Sequence, residues 1–80
     1  MDYSQRSICD LLMQNTFKFE IEDEISKKYV YKDVLTFYVG KEGWSAYGKD
    51  GRDFEGINSQ TTRIGLLISE YRELEKNNFI

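Results

Sequence analysis

Three groups of residues in this 80-residue chain could carry chemistry. The first is Cys9, the only cysteine, in a chain with no histidine. A nucleophilic thiol needs a base and a nearby positive field to lower its pKa. Arg6 is the one cation close by in sequence, and there is no imidazole to act as base. Free cysteines are among the most buried side chains, so Cys9 is expected to be a small apolar filler. The second group is the acidic run Glu20, Glu22, Asp23, Glu24. On a regular strand Glu20 and Glu22 share one wet face, whereas general acid–base work asks for a carboxylate in a drier cleft. Neither a phosphate-cradling Gly-Lys-Ser/Thr loop nor a calcium-loop spacing accompanies them. No catalytic residue, metal ligand or cofactor is expected, and the chain reads as a non-enzyme.

The third group is a run of cations among aromatics. Lys27, Lys28, Lys32, Lys41, Lys49 and Arg52 are interleaved with Tyr29, Tyr31, Tyr38, Trp44 and Tyr47. Residues 27–52 carry a net charge of +3, residues 1–26 carry −4 and residues 53–80 carry −2, for −3 overall. Cations between aromatics on a sheet are what single-stranded nucleic-acid binders use, neutralising phosphates and stacking bases. A domain-wide basic footprint is missing, however, since the pI is near 4.9.

The elements that must position these groups follow from periodicity. Residues 4–14 read as a short helix with Ile8, Leu11 and Leu12 on one stripe, Asp2 or Ser4 as caps, and Asn15 suited to the left-handed residue beyond its end. Residues 17–22 alternate apolar and charged, which predicts a strand with Phe17, Phe19 and Ile21 inward. Residues 34–39 form a second strand, with Leu35, Phe37 and Val39 on one face and Val34, Thr36 and Tyr38 on the other. Residues 28–31 extend it or pair with it. The turns Gly40-Lys41-Glu42-Gly43 and Gly48-Lys49-Asp50-Gly51 bracket a strand over 44–47, and another follows over 52–55. Asn58-Ser59 then caps a helix over 60–76, with Ile64, Leu67, Ile68, Tyr71 and Leu74 on its apolar face and Glu70, Glu73 and Glu75 off it. Gly65 is its weak point.

The expected fold is one α+β domain over residues 1–80: an antiparallel meander of three to four strands with both helices on one face. The order α-β-β-β-α is similar to that of double-stranded-RNA-binding domains, whose last helix opens with lysines aimed at phosphates. Residues 59–63 here read Ser-Gln-Thr-Thr-Arg with a single positive charge, so the resemblance is topological and implies no function.

Composition adds a compartment and an origin. One cysteine allows no internal disulfide, and the N-terminus shows neither a basic n-region nor an apolar stretch, so a cytoplasmic setting without a membrane span is expected. Ile, Lys, Asn, Tyr, Phe and Met supply 31 residues against 11 from Gly, Ala, Arg and Pro. Such a bias fits an AT-rich genome, that of a low-GC bacterium, a phage or a mobile element.

The functional expectation is a small protein-binding regulator or inhibitor that occupies a partner's surface through Glu20, Glu22, Trp44, Tyr47, Glu70 and Glu73. The alternative is a nucleic-acid-binding module using Lys27, Lys28, Lys41, Lys49 and Arg52. A thin core and an open sheet edge also leave room for a homodimer.

Overall fold

The computed structural model describes residues 5–80. The helix caps expected at Asp2 and Ser4 lie outside the described residues. Helix α1 spans Gln5–Gln14. Five strands follow, β1 (Lys18–Glu22), β2 (Lys27–Tyr31), β3 (Leu35–Val39), β4 (Gly43–Gly48) and β5 (Asp53–Ile57), and helix α2 closes the chain over Thr61–Lys76. The strands pair antiparallel in sequence order, β1-β2-β3-β4-β5. The fold is therefore the expected α+β meander between two helices. Residues 27–31 form a full strand, which makes the sheet five-stranded.

Alternation along the strands sorts the sheet into two faces. Tyr29, Leu35, Phe37, Val39, Trp44 and Ala46 are buried and join Ile8, Cys9 and Leu12 of α1 and Ile64, Leu67, Ile68 and Tyr71 of α2 in one hydrophobic core. Both helices therefore cover the same face. Aromatic rings bind the layers together: Phe17 lies edge-on to Phe37 at 5.6 Å, and Phe37 lies 5.6 Å from Trp44. Cys9 is one of these core residues, the small apolar filler expected of a free cysteine.

Two glycines are set by close approach. A Cβ at Gly48 would stand 2.2 Å from the Tyr71 hydroxyl, and one at Gly56 would stand 2.0 Å from Gln60 Oε1 and 2.9 Å from the Trp44 ring. Tyr71 and Trp44 thus reach the sheet through gaps that only glycine leaves open.

Four sequence expectations are corrected. Phe19 is on the helix face, across from the buried Tyr29, but lies 48% exposed at the sheet edge, and Ile21, 57% exposed, is not inward at all. The pairing of β1 with β2 shifts between Phe19 and Ile21, a bulge that makes Ile21 the partner of Lys28 and turns it onto the sheet face away from the helices. Val34 lies in the β2–β3 turn and is buried, not on the outer face. The left-handed residue after α1 is Thr16, with φ 67°, rather than Asn15. Asn58 and Ser59 do not cap α2. Its N-cap is Gln60, whose Oε1 accepts the Ile57 N–H at 3.1 Å. Asn58 is buried, and its Nδ2 donates to the carbonyls of Gly40 and Lys41 at 3.2 and 2.8 Å, which ties down the β3–β4 turn.

Candidate interaction surface

The face of the sheet opposite the helices is uncovered. Residues directly across an antiparallel ladder share a face, so the pairings read it out in rows. One row runs Lys18, Val30, Thr36, Tyr47, Asp53. The next runs Ile21, Lys28, Tyr38, Ser45, Glu55. Tyr38 and Tyr47 meet edge to face at 5.7 Å, and Lys28 Nζ stands 5.8 Å from the centre of the Tyr38 ring. Lys28 is also held at 2.8 Å by Glu20, whose hydrogen bond raises the lysine pKa above its usual value. Ser26, Lys28, Thr36, Tyr38, Ser45 and Tyr47 line a shallow depression of about 560 Å³. Ile25 and Ile57, 80% and 60% exposed, line an adjoining depression with Gly40 and Gly43 that shares Ser26, Tyr38 and Ser45 with the first. The surface is thus an aromatic pair in a hydroxyl-rich floor, with isoleucines around it and separated charges at either end.

Among the residues singled out from the sequence, Tyr47 belongs to this surface, and Glu20 reaches it through Lys28. Trp44 does not. It is 3% exposed because it pairs with Val39, so the alternation of β4 sends it into the core, where its Nε1 donates to the Ile57 carbonyl at 3.1 Å. Glu22 faces the opposite way from Glu20, since the bulge places it across from Lys27 on the helix side. The two glutamates therefore do not share one strand face. Glu70 and Glu73 lie on exposed parts of α2, away from the open sheet face. Glu70 holds Arg52 at 2.8 Å, and that pair keeps the guanidinium above its usual pKa.

The basic middle of the chain does not fold into a basic face. Lys27 stands 4.0 Å from Glu22, Lys28 2.8 Å from Glu20, Lys32 2.6 Å from Glu75 and Arg52 2.8 Å from Glu70. Each of these joins a cation of the middle third to a carboxylate of an acidic end. Lys49 stands 3.3 Å from Asp33. Of the five cations considered for nucleic acid, only Lys41, on the β3–β4 turn, has no ion pair among the described residues. Exposed pairs of this kind are individually weak. Their effect is to disperse the +3 over both faces and three turns.

Sequence reasoning missed Tyr38, Thr36 and Ser45 as members of the surface. The signal was present: Thr36 and Tyr38 alternate with the apolar Leu35, Phe37 and Val39. Among the described residues no group of three or more acidic, cysteine or histidine side chains is arranged to hold a metal ion, and no helix is long and apolar enough to cross a membrane. No protein family, curated protein or solved structure matches the chain.

Proposed function

We propose that this chain is a small, non-enzymatic regulator or inhibitor that works by docking the uncovered face of its sheet on a protein partner in a cytoplasmic setting. The observation that carries this reading is the Tyr38–Tyr47 pair on the central strands, ringed by exposed isoleucines on a sheet face without a covering layer. Tyrosine contributes large contact area at low entropic cost, which is why it anchors protein interfaces. Separated charges around it, Lys18 and Lys28 against Asp53 and Glu55, set orientation. The test is affinity capture from lysate with three baits of equal far-UV CD: wild type, Tyr38→Ser/Tyr47→Ser, and Glu73→Lys on the helix side. The expected outcome is a specific protein that the tyrosine variant loses and the Glu73 variant keeps. Equal recovery on the tyrosine variant, or no specific protein on wild type, overturns it.

A second reading rests on the same aromatics. Two tyrosines and a lysine on an uncovered sheet can also stack and neutralise a single strand of nucleic acid. Asp53 and Glu55 on that face, and the pairing of Lys27, Lys28, Lys49 and Arg52, favour the protein reading. Quenching of tyrosine fluorescence by oligonucleotides at low salt, lost steeply as salt rises, would favour nucleic acid instead.

A further inference from the structure

We propose that the uncovered sheet face is self-complementary and that its occupant in the free protein is a second copy of this chain, packed face to face with β1 of each copy over β5 of the other. The inference rests on reading this face as a docking surface, and it names the partner.

Charge is placed with opposite sign at the two ends of this face. Along the row Lys18, Val30, Thr36, Tyr47, Asp53 the cation is at the β1 end and the carboxylate at the β5 end. The neighbouring row repeats the order, with Lys28 on β2 and Glu55 on β5. Lys18, Asp53 and Glu55 have no ion pair among the described residues. Two other charges touch the face. Glu20 offsets Lys28, and Arg63 approaches the β5 end with its guanidinium over the Trp44 ring at 5.5 Å and a bond to the Glu55 carbonyl at 3.0 Å. With these included, the β1–β2 side remains one charge positive and the β5 side one charge negative.

A face with opposite charge at its two ends fits itself under one operation. Rotation by a half-turn about an axis along β3, lying in the plane between two sheets, brings β1 over β5 and β5 over β1. The rotation keeps each row over its own counterpart, so Lys18 of one copy faces Asp53 of the other, twice by symmetry. Tyr38 of each copy then meets its counterpart at the centre with Tyr47 over Val30 beside it, at the roughly 10 Å separation of packed sheets. In the row of Tyr38, Lys28 lies over Ser45 and Glu55 over Ile21, so the Lys18–Asp53 contacts carry the charge match. Ile21 and Ile57 flank them at opposite edges. Five strands of about five residues give a footprint of roughly 20 by 17 Å, about 340 Å² per copy and well below the ~800 Å² per partner of a standard stable interface. The dimer is therefore weak and concentration-dependent, and a foreign partner competes with the second copy for one surface.

Sedimentation velocity on the full chain, from a few micromolar to several hundred micromolar, tests this with charge reversals at exposed positions that leave the core untouched. Wild type is expected to shift from monomer to dimer across that range. Lys18→Glu alone and Asp53→Lys alone each weaken association by about tenfold or more, because the symmetry applies every reversal twice. The double variant Lys18→Glu/Asp53→Lys recovers it, and so does an equimolar mixture of the two single variants. A wild type that stays monomeric overturns the proposal, as does a single reversal that dimerises like wild type or a double variant that fails to recover. A monomeric wild type whose captured protein is still lost on Tyr38→Ser/Tyr47→Ser removes self-association alone. A dimer with the predicted reversal pattern and no captured protein removes the foreign partner alone.

Discussion

Tyr71 is where the helix layer grips the sheet. Its ring fills the space over Gly48, its hydroxyl donates to Asp50 at 2.6 Å, and Arg52 lies over its face at 5.2 Å. Burial, then the Asp50 carboxylate, push its pKa up to about 12 from 10.0. The hydroxyl in turn lowers the Asp50 pKa below 3.8. The signs are opposite in the two limbs. A raised phenol favours the folded state fully below pH 10.0 and loses that contribution as pH climbs toward about 12. A lowered carboxylate contributes above pH 3.8 and loses its contribution as pH falls below it. Tyr71→Phe is therefore expected to cost about 1 kcal/mol at neutral pH and to flatten the alkaline limb of a urea-denaturation series. An unchanged alkaline limb would mean that another group titrates there.

At the scale of elements, β1 and the α1–β1 connection depart most from regular geometry. The bulge at residues 19–21 splits what reads as one alternating strand into two parities. Phe17 is in the core and Ile21 is on the open face. Period-two patterning cannot reveal an inserted residue, because each half alternates correctly by itself. Phe17→Ala should accordingly cost about 3–5 kcal/mol, while Ile21→Thr should change stability by no more than about 0.5 kcal/mol. Comparable losses at both positions in urea melts would show that the bulge is absent. The connection before β1 is held from across the molecule. Arg72 of α2 donates to the Asn15 carbonyl and to Thr16 Oγ1 at 3.0 Å, fixing a β-branched residue at φ 67°. Left-handed backbone is costly for such a residue, so the clamp is what maintains it. Arg72→Met is expected to lower stability by about 1–2 kcal/mol and to speed amide exchange at residues 15–17 before the rest of the sheet. Uniform exchange across the chain would contradict that local role.

At the scale of the molecule, the sequence made the layers legible and left the surface half-hidden. Apolar stripes at Ile8, Leu12, Ile64, Leu67, Ile68 and Tyr71 identified both helix faces, and glycine turns eight residues apart identified the meander. Trp44 was misplaced for a reason of register. A four-residue turn between Val39 and Trp44 pairs them directly, which commits Trp44 to the core side, and composition alone treats a tryptophan beside a turn as exposed. The charge blocks misled in a related way. A cationic middle between acidic ends looks like a basic surface along the chain, but antiparallel folding and the return of α2 lay those segments side by side, where Lys27, Lys28, Lys32 and Arg52 meet carboxylates from the acidic ends. What remains without a covering layer is the Tyr38–Tyr47 face, and the functional account depends on it. The most direct measurement is the amount of specific partner recovered on Tyr38→Ser/Tyr47→Ser relative to Glu73→Lys, both verified as folded. Near-complete loss on the first and wild-type recovery on the second are expected, and recovery that falls with the helix-side variant instead would place the docking surface elsewhere.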